Sequence, residues 1–195
     1  MLTAYSNDVT MDPVLFEKIK VVYDQKGSLN LDPEEATLLE NKYSGFVRNG
    51  ALLKGADRDR FKEIETELSK LRLDFGDHVL KETNAFELLL EAEDDLIGLP
   101  EFAIEAAAAA AKEKGREGWM ITLDFPSFGP FMKYSERREL REELIKAYAS
   151  RANHNDSSDN KETLKSIAVL RHERAVLLGY SSHSAFVLEE RMAEK

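Results

Sequence analysis

His172 and Glu173 stand side by side in the stretch Val169 to Lys195, VLRHERAVLLGYSSHSAFVLEERMAEK, and a further histidine follows at His183. These are the residue types of a zinc peptidase helix. That chemistry needs His-Glu-x-x-His, because residues four apart share a helix face and bring two imidazoles onto one ion, while the glutamate serves as general base. Here the position four after His172 is Val176. On a continuous helix, rising about 1.5 Å per residue, His183 lies roughly 16 Å from His172. Two ligands about 2 Å from one zinc must lie within about 4 Å of each other. Only a sharp fold back at Gly179 would close the gap, so the spacing argues against a stand-alone metalloenzyme using His172, Glu173 and His183.

Other chemistry is no better supplied. The chain has no cysteine, which removes thiolate nucleophiles, disulfides and Cys-type zinc sites. It contains no Gly-rich phosphate loop and no GxSxG elbow. Glu91 to Asp95 stacks four acids in five positions, yet without the ligand spacing of a calcium loop it reads as a solvated turn. His78 reads as the end of an apolar helix seam and His154 as an exposed loop residue. The segment Asp124 to Ser135, DFPSFGPFMKYS, is either a loop pinned to a core by its aromatics or an apolar wall for a ligand. No catalytic, cofactor-binding or metal-binding residue is assigned.

The elements that must carry these residues are mainly α-helical. Asp12-Pro13 and Asp32-Pro33-Glu34-Glu35 are helix starts: a cap residue, proline at the first turn, then acids at the positive end of the dipole. From Ala36 to Leu53 and again from Phe61 to His78, apolar residues recur at spacings of three and four. The pattern predicts an antiparallel helical hairpin over about 33–53 and 57–90. Pro100 to Lys114 is an alanine-rich helix closed by Gly115 and Gly118, and small side chains along it allow close approach of a neighbour. Trp119 to Leu123 is the one strand signal, and its partner lies either in an irregular stretch or outside this polypeptide. The prolines and Gly129 argue against a regular helix over 124–135. Ser135 is placed to cap a helix over 136–151, and Gly179 to end another over 159–178 that buries Leu164, Ile167, Ala168, Leu170 and Ala175 to Leu178.

Composition narrows the class. The 195 residues carry 27 basic and 37 acidic side chains, a formal charge of −10, and the arginines at 137, 138 and 141 are interleaved with glutamates. Phosphate backbones and anionic membranes are poor partners for such a surface. The opening MLTAYSNDVTMDP has no basic region before an apolar core, and the longest apolar block, Ala106 to Ala111, falls far short of the roughly 20 residues of a membrane span. A cytoplasmic protein without nucleic-acid or membrane partners is expected.

The wording of the second half carries more than its composition. WMITL through Pro126 and Met132, RRELREELIKAYASRAN, LRHERAVLLGYSSHSAFVLEERMAE and the earlier RFKEIETELSKLRLDFGDHVL together resemble the family of zinc metallopeptidases that includes thimet oligopeptidase, peptidyl-dipeptidase Dcp and oligopeptidase A. The most specific element is Leu177 to Ala193, and the resemblance runs from about Leu31 to the end. It implies an almost wholly helical, much longer enzyme that cleaves short peptides in a deep channel between two lobes. It also implies a zinc held by a His-Glu-x-x-His helix and a later glutamate, all downstream of the matched region. No residue of this chain takes over a zinc ligand or general base, and His172 and Glu173 correspond to helix-surface positions.

Residues 1–195 then read as one helical region of the upstream lobe: an N-terminal helix within 1–30, the hairpin over 31–98, and helices with a strand and aromatic loop over 99–195. The still-helical ending Glu189 to Lys195 and the unpaired strand both suggest a piece of a longer protein. On this reading zinc is absent from the fragment but expected in the full-length enzyme. The expected partners are the remainder of the metallopeptidase chain and short peptides. The alternative is a self-contained helical interaction module in which the stretch Pro33 to Leu80 docks partner helices.

Overall fold

The computed structural model describes residue 5 and residues 8–192. Met1 to Ala4, Ser6 and Asn7 of the opening stretch, and Ala193 to Lys195, lie outside the described residues; of the ending expected to stay helical, the described part, Glu189 to Met192, lies beyond the last helix, which stops at Leu188. Helix dominates, as the sequence predicts, with one two-stranded sheet among the described residues. Residues 1–72 with 165–195 form one compact unit and residues 73–164 another.

The first unit begins with α1 (Pro13–Asp24) and α2 (Pro33–Arg48), each started by the expected aspartate. Asp12 accepts the Val14 and Leu15 N–H groups at 2.7 and 2.9 Å. Asp32 and Glu35 form a reciprocal capping box at 2.8 and 3.0 Å, satisfying two donors that a helix start otherwise leaves unpaired. Asp32→Ala removes one half of it and is expected to lower stability by about 1 kcal/mol, read as a shift of the urea midpoint at unchanged m-value.

α3 spans Gly55–Ala85. The two expected seams are present, and each packs on a helix other than its expected hairpin partner. Tyr43 and Phe46 of α2 stack on Phe16 of α1, at centroid distances of 5.8 and 6.0 Å, and Tyr23 stacks on Tyr43 at 3.7 Å. Ile64 and Leu68 of α3, both fully buried, pack on Ile167 and Leu170 of α7 (Lys161–Leu177). Periodicity specifies a stripe; it does not specify what covers it. On α7 the stripe is narrower than predicted. Leu164, Ala168 and Val176 are exposed, while Ile167, Leu170 and Ala175 are buried and Leu177 packs half-buried against the same cluster.

In the second unit the helical arm stops at Ala85, short of the predicted 90, and Leu88–Leu90 becomes β1. It pairs antiparallel with β2 (Trp119–Ile121), Leu88 opposite Ile121 and Leu90 opposite Trp119. The strand predicted from Trp119 therefore finds its partner within the chain, in Leu-rich residues whose apolar run fits helix and buried strand alike. The unpaired-strand argument for a missing segment falls with it. Between the strands runs α4 (Glu101–Glu113), which buries Ala107 and Ala111.

Residues 125–134, read as irregular, form a helix, α5 (Phe125–Tyr134), with Pro130 inside it. Pro126 sits in the first turn, where its missing N–H costs nothing, and the Asp124 carbonyl accepts Ser127 and Phe128 N–H at 2.9 and 2.8 Å. Pro130 forfeits one helical bond, and burial offsets the loss. Phe131 is 1% exposed, in a core with Leu90, Leu96, Leu99, Leu123 and Leu144, and Phe128 stacks on Tyr148 at 4.3 Å. α6 (Arg138–Ala149) starts two residues later than predicted. Ser135 is not its cap: the buried hydroxyl accepts the Arg137 N–H at 3.2 Å, before the helix begins. On its solvated face Glu142 pairs with Lys146 at 2.5 Å. In the first unit Gly179, at φ +89°, closes α7 as predicted, and α8 (His183–Leu188) is capped by Ser182.

Candidate functional site

The His-Glu pair is committed to structure. Glu173 takes the Arg60 guanidinium bidentately, Nε to Oε1 at 2.6 Å and Nη2 to Oε2 at 2.8 Å. The hydrogen bonds from Arg60 hold its carboxyl below the usual carboxylate range. The pairing fixes the carboxylate on α3 and, by lowering its basicity, makes it a weaker proton acceptor. His172 is exposed. His183 opens α8 half-buried, its ring stacked on Phe186 at 6.4 Å and its Nδ1 buried without a partner. Burial and then Arg174, Arg171 and Arg72 lower its pKa. Among the described residues no three carboxylate or imidazole groups are grouped to hold a metal. Among the described residues, His172, Glu173 and His183 do not form a zinc centre.

The other two histidines tie the 150–160 loop to α3 within the second unit. His78 Nδ1 lies 2.9 Å from Asn160 Oδ1, and Asn160 Nδ2 donates to the Phe75 carbonyl at 3.1 Å. His154, exposed as expected, lies 3.2 Å from Glu82 Oε2, which also accepts the Ala152 N–H at 2.8 Å. Nothing local signals this pairing, because Glu82 sits on α3, far away in sequence. Lys161 and the backbone N–H groups of Lys161 and Asn155 pull the Asp159 carboxyl down to about 2.

The aromatic segment does become a wall. A cavity of about 220 Å³ is lined by Ala103, Ala106, Ala107 and Ala110 of α4, by Met120 and Ile121 of β2, and by Pro126, Ser127 and Phe131 of α5. The alanines leave the space and the strand forms its back. Its polar lining comes from Thr122, Asp124 and Ser127, where Ser127 Oγ accepts the Thr122 N–H at 3.0 Å. No histidine lines it, and no hydrogen bond joins Ser127 Oγ to Asp124, the carboxylate in the lining; the Ser127 hydroxyl is engaged by the Thr122 N–H. Its volume is below the roughly 300 Å³ at which small-molecule pockets begin. It suits one apolar group about the size of a side chain. The sequence offered both parts, the small-residue face and the aromatic run, without showing that they meet.

Comparison with known proteins adds what geometry does not. Residues 131–195 match the model of peptidase family M3. Over its whole length the chain is 34% identical to oligopeptidase A of Haemophilus influenzae and 33% identical to oligopeptidase A of Escherichia coli. Over 99% of its length it is 31% identical to dipeptidyl carboxypeptidase of Escherichia coli. The chain spans 29% of the length of each oligopeptidase A and 28% of the dipeptidyl carboxypeptidase.

Proposed function

We propose that this chain, related along its whole length to peptidases of family M3, is the upstream, non-catalytic part of a zinc-dependent oligopeptidase. The observation that carries the reading is the alignment of the whole chain with less than a third of each oligopeptidase A. The whole enzyme would hydrolyse short peptides in the cytoplasm, with zinc ligands and general base on polypeptide downstream of Lys195. Residues 1–195 would belong to its upstream lobe and line part of the substrate channel, with the rest of the enzyme as their partner. The ion pair that fixes Glu173 on α3 and the absence of a histidine from the lining of the cavity at Ser127 support a positioning role over a chemical one.

The test compares purified residues 1–195 with the product of the same gene extended through any downstream His-Glu-x-x-His. Zinc content and turnover of an internally quenched peptide are measured for both. The extended protein is expected to bind about one zinc per chain and to cleave, and residues 1–195 to do neither. Zinc-dependent cleavage by residues 1–195 alone would overturn the reading.

A second reading, an interaction module without catalysis, draws on a groove of about 400 Å³ between α1 and α2, where Val22 and Leu38 are exposed beside Ile19, Leu31 and Leu39. A natural stop codon directly after Lys195 would favour it, and a downstream zinc motif would dismiss it.

A further inference from the structure

The cavity between α4, β2 and α5 has an apolar floor and a polar mouth. At the floor Met120 and Phe131 are 1% exposed and Ile121 3%. At the mouth Ala106, Asp124 and Pro126 are exposed, so the space opens to solvent. Such a floor gives water few partners, whereas an apolar cavity of about 150 Å³ takes benzene. At about 220 Å³ this one has room for a leucine or phenylalanine side chain.

Asp124 is the one charged residue in this lining. It stands at the start of α5, where an aspartate ordinarily accepts N–H groups of the first turn. Its side chain accepts none of them, because the Asp124 carbonyl already takes the Ser127 and Phe128 N–H groups. The carboxylate has only a long 3.4 Å contact from the Thr122 hydroxyl, and among the described residues no lysine, arginine or histidine pairs with it. Ser127 Oγ accepts the Thr122 N–H and keeps its own hydrogen to donate. One cavity thus joins an apolar floor, an unpaired anion and a hydroxyl donor. The first residue of a peptide carries the complement of all three: a side chain, an α-ammonium and a carbonyl. An internal residue lacks the cation. A lysine or arginine side chain carries its charge at the tip, which the apolar floor rejects.

We propose that this cavity binds the N-terminal residue of a peptide. An aliphatic or aromatic side chain enters against Met120, Ile121 and Phe131, the α-ammonium pairs with Asp124, and the first carbonyl accepts from Ser127. The positive end of the α5 dipole works against a cation there, but it amounts to roughly half a charge spread over the first turn, whereas the carboxylate is a whole charge in contact. The site stands apart from the peptidase reading, since it calls for no zinc and breaks no bond.

The test is NMR on the full chain, labelled with 15N, at about pH 6.5, where an α-amino group is protonated. It is titrated with Leu-Gly-Gly amide, with the N-acetylated form of that peptide and with Gly-Gly-Gly amide. Leu-Gly-Gly amide is expected to give saturable shifts in the backbone N–H signals of residues 103–110 and 120–127. Acetylation, which removes the cation, and glycine, which removes the side chain, are each expected to raise the half-saturation concentration at least tenfold. Asp124→Asn and Ala106→Leu are expected to raise it as much for Leu-Gly-Gly amide, the first by removing the anion and the second by filling the mouth. Both positions are exposed, so the far-UV CD spectrum should not change. Shifts that never saturate with Leu-Gly-Gly amide, equal half-saturation for the acetylated or the glycine peptide, or half-saturation unmoved in either variant would overturn the proposal.

Discussion

Phe131→Ala is expected to destabilise the unit of residues 73–164 by about 3–5 kcal/mol, the range for removing a fully buried aromatic ring. Phe131 is 1% exposed and touches the core at the point where α5 meets the strands, and it also lines the 220 Å³ cavity. Truncation would therefore enlarge a space that already exists, and the surroundings cannot collapse fully around it. Pro130 sharpens the effect: with one helical bond already forfeited, α5 relies on this burial to stay helical. Trp119, the single tryptophan, lies in β2 of the same unit and reports its unfolding by fluorescence in urea. A loss under about 1 kcal/mol, typical of a surface change, would mean that Phe131 does not hold α5 in place.

Gly118→Ala is expected to destabilise the same unit. At φ +101° the backbone is already unfavourable for a side chain, and an added Cβ would lie 2.4 Å from the Leu90 carbonyl oxygen, a backbone atom that cannot step aside. Gly115→Ala is its internal control. Gly115 also has positive φ, +68°, but nothing lies within 4 Å of its added Cβ, so only the conformational penalty of about 1–2 kcal/mol applies. Gly118→Ala should exceed Gly115→Ala by at least about 1 kcal/mol in the same fluorescence assay. Equal losses would show that the close approach of 118 to 90 is not part of the folded state in solution.

What the sequence makes legible follows from how far each signal reaches. Caps at Asp12 and Asp32 and the stop at Gly179 are settled by residues within one turn, and they are found where read. Leu88 to Leu90 is an apolar run compatible with two structures, and only its pairing with residues 119–121 decides between them. Pro130 was read by its local cost alone, while burial of Phe131 and Phe128 outweighs that cost. The same limit applies at the sites. The absence of a second histidine at 176 is visible in one helix turn, but the partner of Glu173 lies on α3, and the walls of the cavity come from three separate elements. Relationship to known peptidases carries the functional reading further than any of these side chains.

The β1–β2 pair has one more consequence. Antiparallel strands are commonly joined by a tight turn that sets their register, whereas these are joined through residues 91–118, α4 included. Closing that span costs chain entropy before any ladder bond forms, and three-residue strands return little of it. The ladder is thus expected to form late in the folding of this unit, after α4 has docked and brought its two ends together.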